Sequence, residues 1–162
     1  MTAVGGHRHR HAAGAAAEQF RLAIEQLKYR YWRACDAKDP EGFRACFVAE
    51  GGVLDYGPLG RTDPDTMAGV FRRIALATAP DGGPRILDMH HGLMPAITVE
   101  GGGPGSPPTR ATGTWTLQFR QVDRMRGTEY LATGRYDDVY VVEPENGEDA
   151  KFTVIESRRP AP

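Results

Sequence analysis

The spacing of apolar residues changes near residue 84, from mainly helical with one short strand candidate at 53–56 to strand-like, and this change limits the fold more than any other feature. Before it, apolar side chains recur every three or four residues, the period of a helix with one buried face. After it, runs rich in β-branched and aromatic residues alternate with polar ones, the period of strands. Helices followed by successive strands are typical of an α+β domain, with helices packed on one face of a mostly antiparallel sheet.

Three helices are predicted before the change. The first runs from about residue 18 to residue 37, with Phe20, Ile24, Leu27 and Tyr31 on its apolar face. The second and third begin at the two Asp-Pro pairs, at 39–40 and 63–64. In each pair the carboxylate can cap the helix, and proline suits the first helical position, where its missing N–H costs nothing.

The strands are separated by turn residues rich in glycine, proline and charge. The two long strands on either side of 123–128 are expected to form a hairpin, whereas 101–108 is a flexible excursion. If the long strands curl, helices and sheet enclose a cavity open at one end, a preferred place for small ligands. The predicted strands are 53–56, 86–91, 96–100, 109–122, 129–142 and 151–159.

The length of 162 residues and the 40% apolar content fit one globular domain, which we place at 18–162. Residues 1–17 have no sustained apolar period and are interpreted as a mobile arm. Histidines at 7, 9 and 11 of this arm are expected to bind metals only incidentally. No metal or other cofactor is predicted.

Several function classes find no support in the sequence. A formal net charge of −1, without a basic stripe, makes nucleic acid an unexpected partner. No apolar run approaches the roughly 20 residues that cross a bilayer, so a soluble cytoplasmic protein is expected. Cys35 and Cys46 lack metal-ligand spacing and are interpreted as buried hydrophobic residues. P-loop, GxGxxG, GxSxG and HExxH motifs are absent.

Five stretches occur in a recognisable order: LKYRYWRACDAKDPEGFRACF, MHHGLMPAITVEG, ATGTWTLQF, GRYDDVYVV and FTVIESRR. In order and spacing this set resembles the SnoaL-like branch of the NTF2-like superfamily, over about residues 24–159. The resemblance implies a cone of helices on a curved sheet that encloses a pocket, and a homodimer. Similar proteins are dehydratases, isomerases and cyclases acting on ring compounds, or ligand binders without chemistry, because a fold does not fix a function.

The resemblance also implies site residues. Tyr31 would donate a hydrogen bond to a substrate carbonyl and stabilise an enolate, although its place on the helix stripe equally suits a core tyrosine. Asp36 would orient a histidine or take a proton, although it also suits a solvated helix end. Arg158, which closes the last motif, would hold an anionic or carbonyl oxygen, or else pair with a carboxylate in the structure.

The histidine of the second motif falls on His90 or His91, which point to opposite faces of a strand. Alternation favours His91 as the inward residue, because Leu87 and Met89 share its face. Family spacing favours His90, which we prefer as the catalytic residue, with His91 kept as a substrate-binding candidate. The remaining substrate-binding candidates include Trp115 and Phe119, which also suit plain core positions. Tyr136 and Asp138 complete the set; Asp138 and its neighbour Asp137 point to opposite faces, and the outer one of these two is ordinary solvated charge.

The leading hypothesis is a cofactor-independent lyase or isomerase acting on a hydrophobic ring substrate such as a polyketide or steroid. His90, oriented by Asp36, would move a proton next to a carbonyl whose oxygen Tyr31 holds. One alternative is a ligand binder without catalysis. A second is water addition of the epoxide-hydrolase type, which needs Arg158 beside two carboxylates.

Overall fold

The described residues form three helices and six strands in the predicted α+β order. The structure is a computed structural model that describes residues 5–57, 60–102, 106–142 and 150–158, with side chains for 14–57, 60–102 and 106–142. The helices are α1 (Gly5–Ala37), α2 (Pro40–Ala45) and α3 (Pro64–Ala75). The strands are β1 (Val53–Asp55), β2 (Arg61–Thr62), β3 (Ile86–Glu100), β4 (Arg110–Asp123), β5 (Thr128–Val142) and β6 (Ala150–Arg158).

All six strands form one sheet in the order β2-β1-β6-β5-β4-β3. Strands β3 to β6 are antiparallel neighbours in chain order, and the predicted hairpin is confirmed by the pairing of Asp123 with Thr128. Strand β1 runs parallel to β6, which carries the short early strands to the far side of the sheet. Strand β3 is therefore an edge strand with one open side.

The core lies between the apolar face of α1 and the inner face of the sheet. The three-and-four spacing predicted this helix face, and Phe20, Ile24, Leu27 and Tyr31 are all buried. Alternate residues of the long strands meet them, as period-two patterning requires. The buried strand residues in this core are Leu54, Ile97, Ala111, Trp115, Leu117, Tyr136 and Tyr140.

Both Asp-Pro pairs begin helices, as predicted. Asp39 accepts a hydrogen bond from Gly42 N at 2.9 Å, and Asp63 accepts one from Thr66 N at 2.8 Å. The proline of each pair occupies the start of its helix. The first pair matters for the site, because it turns the chain sharply after α1 and leaves the end of that helix beside β3.

Two predicted boundaries are wrong. Helix α1 begins at Gly5 and not near residue 18, so the segment interpreted as an arm is helical from Gly5 onward. Alanine-rich sequence has high helix propensity even where no apolar stripe exists. The predicted start rests on the apolar stripe alone and therefore falls too late in the chain. The histidine side chains at 7, 9 and 11 lie outside the described residues.

The second wrong boundary is the break predicted between strands 86–91 and 96–100. The structure has one continuous strand there, β3. Its pairing with β4 shifts register between Leu93 and Ala96, and Met94 has a φ of 50°. This bulge carries the strand past Pro95, whose missing N–H is tolerated at a sheet edge.

Candidate active site

The end of α1 meets the open edge of β3 through Asp36 and His90. Asp36 Oδ1 lies 2.6 Å from His90 Nδ1, and Asp36 Oδ2 accepts the backbone N–H of His90 at 3.2 Å. The imidazole packs on Phe119 with ring centroids 4.7 Å apart, and the His90 side chain is 11% exposed. A carboxylate at Nδ1 favours the neutral tautomer with its proton there, which leaves Nε2 as the basic nitrogen. Within the described residues, Nε2 makes no hydrogen bond.

His91 lies on the opposite face of β3 and is exposed. The strand pleat places Asp88, His90 and Gly92 toward the helices, because alternate residues of a strand point to the same side. His91 therefore lies on the face of the sheet opposite to the Asp36–His90 pair. The apolar face that favoured it, with Leu87 and Met89, is the outer face of the sheet, where both of these side chains are exposed.

Tyr31 forms a hydroxyl pair with Tyr56, at 2.6 Å between the two oxygens. Tyr31 is 2% exposed and lies among the rings of Phe43, Phe47 and Tyr136. Burial raises the pKa of both Tyr31 and Tyr56 well above the ordinary phenol value, so both remain protonated hydrogen-bond donors. Tyr56 was not among the predicted site residues. The sequence feature that could have indicated it is its position as the last residue of the predicted strand 53–56.

The buried thiol of Cys35 lies near both pairs. It interacts electrostatically with Asp36 on one side and with Tyr31 and Tyr56 on the other. Burial raises the pKa of this thiol far above its ordinary value, so Cys35 is uncharged at neutral pH and unsuited to nucleophilic attack. The predicted role of Cys35 and Cys46 as buried hydrophobic residues is confirmed.

A buried ion pair that the sequence analysis missed joins α1 to β5. Lys28 Nζ lies 2.7 Å from Asp138 Oδ2, and neither side chain is exposed. The Tyr140 hydroxyl donates to the same oxygen at 2.7 Å, and Trp115 Nε1 donates to Tyr140 at 2.9 Å. Burial lowers the pKa of Lys28 and raises the pKa of Asp138, and in each case the partner's charge opposes the shift.

This network changes how three predicted ligand-binding residues are interpreted. Trp115 and Asp138 are engaged in the network, and Tyr136 lies under the Lys28 ammonium at 3.6 Å from its ring centroid. All three are buried, so their present contacts are with the protein core. Phe119 alone among the predicted aromatic residues contacts His90 in the described structure.

Comparison with known proteins identifies the family. The profile of the SnoaL-like domain matches residues 19–149, which is most of the chain. The chain belongs to the SnoaL-like domain family. A search of curated proteins finds no match.

Solved structures agree with this SnoaL-like fold. A candidate scytalone dehydratase from Novosphingobium aromaticivorans is 19% identical, with a TM-score of 0.71 over 91% of this chain and 89% of that one. An NTF2-like superfamily protein from Salmonella enterica is also 19% identical, with a TM-score of 0.70 over 90% and 94%. At this identity the likeness shows the NTF2-like α+β fold and not an activity.

Other predicted features of this SnoaL-like domain fall outside the site or outside the described side chains. Arg158 belongs to β6, but its side chain lies outside the described residues, and Asp138 already pairs with Lys28. An Asp/Arg/Asp cradle for water is thus not assembled from the described residues. A groove of about 580 Å³ between α1 and α2 is lined by Arg30, Arg33 and Cys46, among others, and not by Tyr31, Asp36 or His90.

Two kinds of feature are absent from the described part of this SnoaL-like chain. No group of three or more His, Cys, Asp and Glu side chains there could hold a metal ion. None of the helices found there combines the length and apolar character that a membrane crossing requires.

Proposed function

We propose that the protein is a cofactor-independent lyase or isomerase that transfers protons on a hydrophobic ring substrate carrying a carbonyl, such as a polyketide or steroid. The observation that carries the proposal is the Asp36–His90 pair, in which the carboxylate holds Nδ1 while Nε2 has no hydrogen bond within the described residues. This is the arrangement that a histidine general base needs. Membership of the SnoaL-like family supports the reaction class.

The proposed reaction begins with His90 Nε2 taking a proton from the carbon next to the carbonyl. The C–H electrons move into the enolate, whose oxygen accepts one hydrogen bond from the Tyr31–Tyr56 hydroxyl pair, because the other proton of the pair lies between the two tyrosines. Asp36, at 2.6 Å, stabilises the imidazolium that forms. The imidazolium then returns the proton to another carbon or gives it to a departing hydroxyl, which leaves as water.

Deuterium exchange tests this proposal without knowledge of the natural substrate. Cyclic ketones are incubated in D₂O with the protein, and incorporation next to the carbonyl is followed by NMR. We expect His90→Gln to slow exchange by roughly 10²–10⁴-fold, the usual contribution of one proton-transfer group. His91→Gln is the matched control, because it changes the same residue type in the same strand on the outer face. An exchange rate in His90→Gln within a few-fold of the unmodified protein rejects the assignment.

A ligand binder without catalysis is the second candidate. The observation in its favour is that the polar groups bind each other, Tyr31 with Tyr56 and Asp36 with His90. Such a protein would bind a ring compound with equal affinity in the His90→Gln variant and would exchange no protons. Binding measured by calorimetry beside the exchange assay separates the two candidates.

We also propose that two copies associate through the outer face of the sheet. That face carries exposed apolar side chains on β3 and β5, including Met89 and Leu131, which are 44% and 65% exposed. Its charged residues are largely paired within one copy, as in Arg120 with Glu129. A face that is apolar and locally neutral suits a second copy of itself.

A further inference from the structure

The chain leaves α1 through a residue in an unfavourable backbone conformation. Lys38, directly after the helix, has a φ of 61°. This left-handed region is unfavourable for a residue with a Cβ, and glycine is the usual occupant at helix ends. The surrounding hydrogen bonds, Lys38 N to Cys35 O at 3.3 Å and Asp39 N to Ala34 O at 2.9 Å, close the helix normally. The turn would thus be formed with less strain by glycine.

The lysine side chain supplies a contact that glycine cannot. Lys38 Nζ forms a hydrogen-bonded ion pair with Asp88 Oδ2, and the two side chains are only 6% and 12% exposed. Gln121 Nε2 donates to the other oxygen, Asp88 Oδ1, at 2.9 Å. Asp88 is therefore held at both oxygens, from the end of α1 and from β4.

This ion pair runs alongside the Asp36–His90 pair. Asp36 and Lys38 flank the last residue of α1, while Asp88 and His90 are alternate residues on the inner face of β3. Two links thus join the same two backbone segments. Because β3 is the edge strand among the described elements, its open side has no strand partner there, and these two links to α1 hold it instead, one at the His90 backbone N–H and one at the Asp88 side chain.

We propose that Lys38 and Asp88 are positioning residues that hold Asp36 against His90, so that the imidazole keeps its proton on Nδ1 and presents Nε2. The Asp36 side chain is 32% exposed, so water competes for its carboxylate unless the helix end is fixed. Asp36 from the end of α1 contacts His90 directly, and Phe119 from β4 covers the ring. Lys38 and Asp88 pair with each other beside this contact. The catalytic consequence rests on the proposed function, whereas the positioning does not.

The test reads the tautomer of the neutral His90 ring directly by ¹⁵N NMR of the imidazole nitrogens. In the unmodified protein we expect the Nδ1–H tautomer to dominate. In Lys38→Met and Asp88→Asn the ratio of Nε2–H to Nδ1–H is expected to rise about tenfold, as a loss of about 1.4 kcal/mol in orientation would give. Lys38→Gly removes the amine and also relieves the strained backbone. The same rise in the tautomer ratio is expected in this variant, in which the turn after α1 forms without strain.

Arg85→Met is the matched control, since it removes another ion pair, with Asp123, just before β3 but away from His90. We expect it to leave the tautomer ratio unchanged, and Lys38→Arg to preserve the ratio by keeping a cation at the same position. An unchanged ratio in both Lys38→Met and Lys38→Gly overturns the proposal.

The failure of positioning and the failure of the proposed function are distinguishable. If the tautomer shifts in Lys38→Met but His90→Gln exchanges protons normally, the positioning holds and the function is wrong. If the tautomer does not shift while His90→Gln is inactive, the function holds and the positioning is wrong. If both hold, Lys38→Met is expected to lower kcat by about tenfold or more with little change in KM, because misplaced proton-transfer groups slow chemistry more than binding.

Discussion

The absence of a Cβ at Gly92 allows the helix–sheet contact beside the candidate site. A Cβ built on Gly92 would lie 1.6 Å from Cη2 of Trp32, so only glycine lets that indole lie directly against β3. Trp32 in turn packs edge-on against Trp115, with ring centroids 5.4 Å apart. Gly92 is therefore a packing requirement of the helix–sheet contact, two residues beyond His90 on the same face.

We predict that Gly92→Ala destabilises the protein by about 1–3 kcal/mol or more, the usual cost of overpacking a core. The free energy of unfolding from urea titration measures it. Gly69→Ala in α3 is the control, since its Cβ would meet nothing within 4 Å. That control is expected to stabilise by roughly 0.5–1 kcal/mol, because alanine is the better helix former. Equal effects of the two substitutions would contradict the packing argument.

For single residues, the sequence predicted which side chains are buried better than it predicted which distant residues they contact. The burial of Tyr31 followed from its place on the helix stripe, as did the burial of its neighbours Ile24 and Leu27. Lys28 lies on the same stripe, but a buried lysine needs a partner, and Asp138 is 110 positions away in sequence. Periodicity says which face a residue occupies and not which distant residue it meets.

Among the elements, β3 and β4 are fastened at one end by an ion pair between Arg85 and Asp123. Arg85 Nη2 lies 2.7 Å from Asp123 Oδ2, and Arg85 Nε lies 3.1 Å from Oδ1. Hydrogen bonding to this guanidinium lowers the pKa of Asp123 to about 2. The carboxylate also accepts the backbone N–H groups of Met125 and Arg126, which begin the turn into β5.

This lowered pKa predicts a pH-dependent contribution to stability. The folded pKa lies below the unfolded value of about 3.9, so the contribution is fully present above about pH 4 and is lost as pH falls toward 2. Asp123→Asn should therefore lower the urea midpoint at pH 7, and the difference from the unmodified protein should narrow between pH 4 and pH 2. Glu129→Gln, in an exposed pair with Arg120, should show a smaller difference. A difference in urea midpoint between Asp123→Asn and the unmodified protein that stays constant down to pH 2 would argue against a lowered pKa of Asp123.

The sequence predicted element types well and two boundaries poorly, for physical reasons. Asp-Pro signals act locally, so the starts of α2 and α3 were correct. The start of α1 was missed because alanine propensity forms a helix without an apolar stripe. The continuity of β3 was missed because proline and glycine resemble a stop, whereas an edge strand with a bulge accommodates both.

Across the whole molecule, the two faces of the sheet differ. The inner face is covered by α1 and holds the ion pairs and tyrosines of the site. On the outer face, Met89, Arg120 and Leu131 form one row across β3, β4 and β5, with both apolar members exposed. This row is the centre of the proposed dimer contact.

We predict that the protein sediments as a dimer at micromolar concentration and that Met89→Lys with Leu131→Lys shifts it to a monomer, because charges placed in an apolar contact oppose its burial. Analytical ultracentrifugation measures the change. Leu76→Lys, at a 70% exposed position after α3, is the control and should leave the dimer intact. A monomeric unmodified protein would refute the proposed interface.

The second oxygen of Asp36 has a consequence separate from catalysis. By accepting the His90 backbone N–H, it occupies a hydrogen-bonding position on the open side of β3. Such positions are where a strand from another chain can add, the first step of edge-to-edge aggregation. A substitution of Asp36 therefore exposes this edge position to strand addition and also removes the hydrogen-bond partner of the His90 ring. Precipitation of such a variant would mimic a loss of activity.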